Sequence, residues 1–300
     1  MIYVSPSQVS TVAAMLRAAN SGTRVIYVSP SQVSTFLACG KQWGFEKLLG
    51  RPRPESPKMA FGKEVHAVLE AYLLDGAPFP RTPAGRVAAQ AVRPDWIPPP
   101  RSPGVIGETE LAGPLPGFPP GVECSMYADV LDAREYRTTG RVVVVDYKTT
   151  SDLRWAKTEA ELASDPQALM YAAWAIREGA REVLCRWIYL AATNPQTGPR
   201  EPRGARAVEV VVRPGPALME AMGPTLEAVR EIARLRGEGG APADVVAGID
   251  GDTTSCARYG GCPHRHECPL GQDPATAIAA LVDQDVRTQA RKRALLIARE

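Results

Sequence analysis

The chain has 300 residues, 45% of them apolar, and carries 35 basic side chains against 33 acidic ones, a net charge of +2. That composition excludes wholesale disorder and leaves any nucleic-acid surface to a local patch rather than to global charge. No apolar run reaches the roughly 18 residues of a membrane-spanning helix, no basic flank followed by an apolar core marks a secretory signal, and six cysteines are too few for a disulfide scaffold of this length; a cytoplasmic protein with reduced or metal-bound cysteines is expected.

Residues 2–11 read IYVSPSQVST, and residues 26–35 repeat the same ten letters. Two copies do not make a solenoid, and the sequences diverge immediately afterwards. Residues 1–25 are therefore read as a duplicated extension of doubtful role, with the working domain spanning 26–270. In the second copy Ser29-Pro30-Ser31 can cap a helix running through Phe36, Leu37 and Cys39. Met59–Leu74 has Val65, Val68, Leu69 and Tyr72 at helical spacing, with His66 beside that face. The residues alone leave His66 open between a structural histidine and a ligand. Residues 76–121, rich in proline and glycine, read as a long irregular connection with an extended segment at Val105–Leu111.

Two strands follow, Met126–Ala133 and Val142–Thr150, with a polar turn Arg137-Thr138-Thr139-Gly140 between them. The valine run of the second suggests burial on both faces. Asp129 and Asp146 are equidistant from the turn, so a hairpin in that register sets them opposite each other, roughly 5 Å apart. Like charges so placed call for a cation, and a divalent metal with hard oxygen ligands suits. Asp146 and Lys148, two apart on a strand, share a face; by themselves they could equally be a surface ion pair.

Asp152–Glu178 reads as helix, its second half opened by Asp165-Pro166, with Gln167 and Tyr171 four apart on one face. Glu182–Ala191 and Ala207–Val212 read as strands, and Ala217–Arg236 as a helix bent at Gly223-Pro224. The alternation gives an α/β fold with a mixed sheet. Cys256, Cys262 and Cys268 are spaced with five residues between neighbours. A fourth ligand is needed for a tetrahedral set; Cys39 is the better candidate, because Cys124 and Cys185 sit in strand-like sequence. The spacing favours an iron–sulfur cluster, with zinc, aided by His264 or His266, as the alternative. Residues 271–300 read as a helix ending in a basic run.

In order, a serine cap with F-x-x-C, G-x-x-x-H, an aspartate on one strand, DYK on the next, Q-x-x-x-Y on a helix and three cysteines resemble the PD-(D/E)XK nuclease superfamily, in its RecB-like branch with an iron–sulfur staple. That branch includes the AddB nuclease domain and CRISPR-associated and phage iron–sulfur exonucleases. The resemblance implies a restriction-endonuclease-like fold, a central mixed sheet flanked by helices with a C-terminal cysteine-ligated staple. It implies His66, Asp129, Asp146 and the Tyr147 carbonyl as ligands of Mg²⁺ or Mn²⁺. Asp129, Asp146 and Lys148 would be catalytic, Gln167 and Tyr171 would support the active site or DNA, and Cys39, Cys256, Cys262 and Cys268 would hold a 4Fe–4S cluster. The implied activity is metal-dependent exonuclease action on DNA ends in recombination, repair or end processing, with a helicase or recombination partner. The alternative is a non-catalytic DNA-binding or assembly subunit on the same fold.

Overall fold

The computed structural model describes residues 25–193, 200–256 and 261–271; the duplicated N-terminal stretch and the basic C-terminal run lie outside them. The chain divides into two compact units, one formed by Met1–Pro30 and Ser56–Val229, the other by Ser31–Glu55 and Arg230–Glu300.

The first unit is built on strands β1 (Ile26–Val28), β2 (Val105–Gly113), β3 (Val122–Asp132), β4 (Arg141–Thr150), β5 (Glu182–Ala192) and β6 (Pro202–Val212). They form one mixed sheet in the order β1-β3-β4-β5-β6, with β2 paired to β3. The β1–β3 and β4–β5 pairs are parallel and the others antiparallel. β4 pairs with β5 along its whole length, Arg141 opposite Glu182 through to Thr150 opposite Ala191, and Val142, Val144 and Val145 are buried. This is the α/β fold with a mixed sheet that the element pattern implied, and the central sheet flanked by helices that the resemblance implied.

The helices that matter for function are α1 (Pro30–Ala38), α2 (Gly40–Lys47), α3 (Pro57–Asp75), α4 (Pro166–Arg177), α5 (Gly223–Gly237) and α6 (Pro242–Gly248). α3 starts where the Ser56 hydroxyl accepts from the Met59 N–H at 3.3 Å and ends at Gly76, whose φ of 65° is the left-handed cap glycine favours. Its face Phe61, Val65, Leu69 and Leu73 packs with Val130, Val145, Tyr147, Ile188 and Leu190 of the sheet. α4 is capped by Asp165, which accepts from Gln167 and Ala168 N–H groups.

Several sequence expectations are corrected. The stretch 76–121 holds a helix, Pro83–Ala88, and a full strand, β2, longer at its end than Val105–Leu111. The expected helix over 152–178 is three pieces, because Asp152 and Thr158 each cap a short helix of their own, Leu153–Trp155 and Glu159–Ala163, before α4. The 137–140 turn is one helical turn, Tyr136–Thr139, closed by Gly140 at φ 77°. At Gly223 the predicted bent helix is instead two, Pro216–Ala221 and α5.

In the second unit α1 stops at Ala38, so Cys39 is extended backbone between α1 and α2 rather than helical. α2 lies close against α6 and its following residues: a methyl group on Gly40 would meet Ile249 Cγ2 at 2.9 Å, and one on Gly44 would meet Val246 at 3.0 Å. The Ser255 hydroxyl donates to the Ala38 carbonyl at 2.7 Å, bringing the neighbours of Cys256 and Cys39 together.

Candidate active site and cysteine cavity

The site begins with an interruption in the sheet. One edge of β3 carries β2 from Cys124 to Asp132. The other carries β1 at residues 122–124 and β4 only at Val130–Asp132, so residues 125–129 on that edge have no strand partner among the described residues. The pairs Val130–Val145, Leu131–Val144 and Asp132–Val143 are in the register expected of the hairpin, and the ladder stops one residue short of Asp129 and Asp146. Asp129 turns its carboxylate into this gap: Oδ2 accepts from the Tyr147 N–H at 2.7 Å and Oδ1 stands 3.1 Å from His66 Nδ1 of α3.

Glu108 joins them. It lies on β2 between Gly107 and Thr109, which face Val130 and Ala128, so it stands opposite Asp129. Its φ of 38° is left-handed, unusual for a non-glycine residue and costly enough to suggest a role. His66, Glu108 and Asp129 each place a ligand atom within 4.8 Å of the others. Asp146, expected in that ligand set, is tied to other partners. Its Oδ1 accepts from Gln167 Nε2 at 2.7 Å, and Lys148 Nζ lies 2.6 Å from Oδ2. Gln167 also accepts from Lys148 at 3.0 Å and donates to the Tyr171 hydroxyl at 2.8 Å, and Tyr171 donates to the Tyr127 carbonyl. Gln167 thus bridges the acid, the lysine and the tyrosine. Glu108 is the site residue that reading the sequence missed. Pairing Val105–Leu111 with the Asp129 strand would have revealed it, but the surrounding proline and glycine disguised a strand as a loop.

The electrostatics follow from crowding. Burial, together with Asp129, pushes the Asp146 carboxyl up to about 6 despite the opposing Lys148 ammonium. Burial also raises Glu108, reinforced by the charges of Asp129 and Glu70. Burial is the largest single influence on His66 and Lys148 and pulls both down. It is outweighed for His66 by the Asp129 hydrogen bond together with the charges of Asp129 and Asp146, and for Lys148 by the Asp146 charge and hydrogen bond together with the Asp129 charge, so both are raised. Asp146 Oδ2 is buried, with the Lys148 ammonium 2.6 Å away as its ion-pair partner. Two carboxylates and an imidazole within one ion's reach, beside the buried Asp146 carboxylate, form a donor set that fits a divalent cation.

In the second unit Cys39, Cys256, Cys262 and Cys268 line one cavity with Gln42 and His264. The His264 ring stacks on Phe45 with centroids 5.2 Å apart. The Cys262 thiol lies 3.9 Å from Gln42 Oε1. Cys124 and Cys185 are buried elsewhere and donate to the carbonyls of Leu111 and Ala168.

No curated protein matches the chain. The solved structure of SSO0001 aligns over 91% of this chain and 100% of its own, at 12% identity and a TM-score of 0.43, too distant to bear on function. The profile of the PD-(D/E)XK nuclease superfamily matches residues 27–103 and 125–269. Those segments include His66, Asp129, the Asp146-Tyr147-Lys148 run, Gln167, Tyr171 and all four cavity cysteines. With most of the sequence matched, and an acid–acid–lysine constellation at the point where the sheet opens, the chain belongs to the PD-(D/E)XK nuclease superfamily.

Proposed function

We propose that the protein is a Mg²⁺- or Mn²⁺-dependent deoxyribonuclease acting as an exonuclease in recombination, repair or end processing. The observation that carries this reading is the His66–Glu108–Asp129 group beside the Asp146–Lys148 pair. His66, Glu108 and Asp129, with Asp146 adjoining, would hold the cation. A bound divalent ion supplies neutralisation of the scissile phosphate and acidification of a water. Lys148, kept protonated by Asp146, stabilises the negative charge that develops on the phosphate oxygens. Gln167 orients Asp146 and Lys148 together. The Tyr147 N–H fixes the rotamer of Asp129, leaving its Oδ1 toward His66.

The reading extends to one nuclease domain over 26–270, with the cysteine segment as its staple and a helicase or recombination protein as partner in the cytoplasm. The cavity cysteines support a 4Fe–4S cluster rather than zinc. Sulfurs around one zinc, at Zn–S of about 2.3 Å, lie under 4 Å apart, yet no three His, Cys, Asp or Glu ligand atoms outside the His66 group come within 4.8 Å among the described residues.

Cleavage of end-labelled single- and double-stranded DNA with Mg²⁺, Mn²⁺ or EDTA tests the activity. Asp146→Ala should abolish it while largely sparing binding, and full activity in that variant rejects the assignment. Iron and sulfide in anaerobically purified protein support the cluster; stoichiometric zinc in their place rejects it.

A further inference from the structure

Tyr127 sits in the middle of the unpaired edge of β3 and is 57% exposed, the most of any large hydrophobic residue among the described residues. Its neighbours Met126 and Ala128 are 3% and 0% exposed, so Tyr127 and Asp129 share the open face of the strand. Residues two apart on a strand are about 6.5 Å from each other, placing this ring one step from the metal-binding carboxylate. Its backbone is anchored: the Tyr127 carbonyl accepts from Tyr171, which is bonded to Gln167 and through it to Asp146 and Lys148. An otherwise free aromatic ring is thus mounted on the same hydrogen-bonded bridge that orients the acid and the lysine.

The surrounding charge indicates which part of a nucleotide fits there. Glu110 lies opposite Tyr127 on β2 and accepts from the Ser125 hydroxyl at 3.2 Å, with Glu108 two residues away. Carboxylates on that flank repel a phosphodiester, whereas the uncharged face of a base stacks on an aromatic ring. We propose that Tyr127 is a stacking platform for the nucleobase adjoining the scissile phosphate, and that the strand cut is therefore unpaired at that position. A base in an intact duplex is already stacked and paired and cannot lie on the ring. Single-stranded DNA, or a frayed end, is the substrate this geometry selects. The inference rests on the nuclease reading above.

The test uses an oligonucleotide with 2-aminopurine at its terminus, whose fluorescence falls on stacking, bound in Ca²⁺ buffer. The wild type, Tyr127→Phe and Tyr127→Trp should quench it, and Tyr127→Ala should not. Base–aromatic stacking of about 1–3 kcal/mol corresponds to a loss of about 5- to 150-fold in affinity for Tyr127→Ala, and the loss should vanish on a strand abasic at that nucleotide. Undiminished quenching by Tyr127→Ala, or an equal loss on the abasic strand, overturns the platform. Cleavage by the wild type with Mg²⁺ or Mn²⁺ is read separately. Quenching without cleavage rejects the nuclease reading and keeps the platform, while cleavage with Tyr127→Ala unaltered in quenching and KM rejects the platform alone.

Discussion

Replacing Asp146 with asparagine should stabilise the metal-free protein while destroying its activity. The residue is 3% exposed, and its carboxyl is held at about 6 against an ordinary value of 3.8. At about 1.36 kcal/mol per pKa unit, that difference is a cost of up to about 3 kcal/mol at pH 8. Asparagine keeps the shape and an acceptor for Gln167. Lys148 keeps Gln167 Oε1 at 3.0 Å, and its side chain is 37% exposed. These changes leave a net gain of about 1–3 kcal/mol, or about 2–12 °C in Tm for a domain of this size. The folded state binds the Asp146 proton more tightly than the unfolded chain does. The cost is therefore absent below the unfolded value of 3.8, grows as pH rises toward about 6, and is complete above that. Thermal melts in EDTA should show the variant ahead at pH 8 and level with the wild type near pH 4. Mn²⁺ should then raise the wild-type Tm, by about 2.7 kcal/mol of stability at a hundredfold excess over Kd, and raise the variant's less. A variant no more stable than the wild type at pH 8 in EDTA, or equally ahead at both pH values, would show that Asp146 does not sit in a site strained until a cation enters.

Gln167→Leu removes the bridge among Asp146, Lys148 and Tyr171 and should lower kcat about 10- to 100-fold, the usual effect of losing a partner that orients ligands, with the circular dichroism spectrum unchanged. An undiminished kcat would make the bridge incidental. Burial pushes the Cys124 and Cys185 thiols up to about 12, so neither should react with iodoacetamide at pH 8 in the native protein. Peptide mass spectrometry should find them labelled only after denaturation; native labelling of either would contradict their place in the sheet.

Local chemistry made much of this protein legible in one dimension. The valine run announced β4, the alternation and turn residues placed β3, and symmetry about that turn set the β3–β4 register that pairs Val130 with Val145, one residue from Asp129 and Asp146, because an antiparallel register is dictated by where the chain reverses. Asp165-Pro166 marked the start of α4, since a cap and a proline satisfy the first turn whatever packs above it. Partners distant in the chain were decided only in three dimensions. Glu108 reached His66 and Asp129 because β2 paired beside β3, a long-range choice that its proline- and glycine-rich flanks concealed. Asp146 turned to Gln167 and Lys148 because α4 packed where it could cap that carboxylate. The gap along β3, where Tyr127 stands exposed, exists because β1 and β4 each cover one end of the edge and stop. Periodicity records which face of an element is buried, but not which element does the burying, and the chemistry at this site depends on the second.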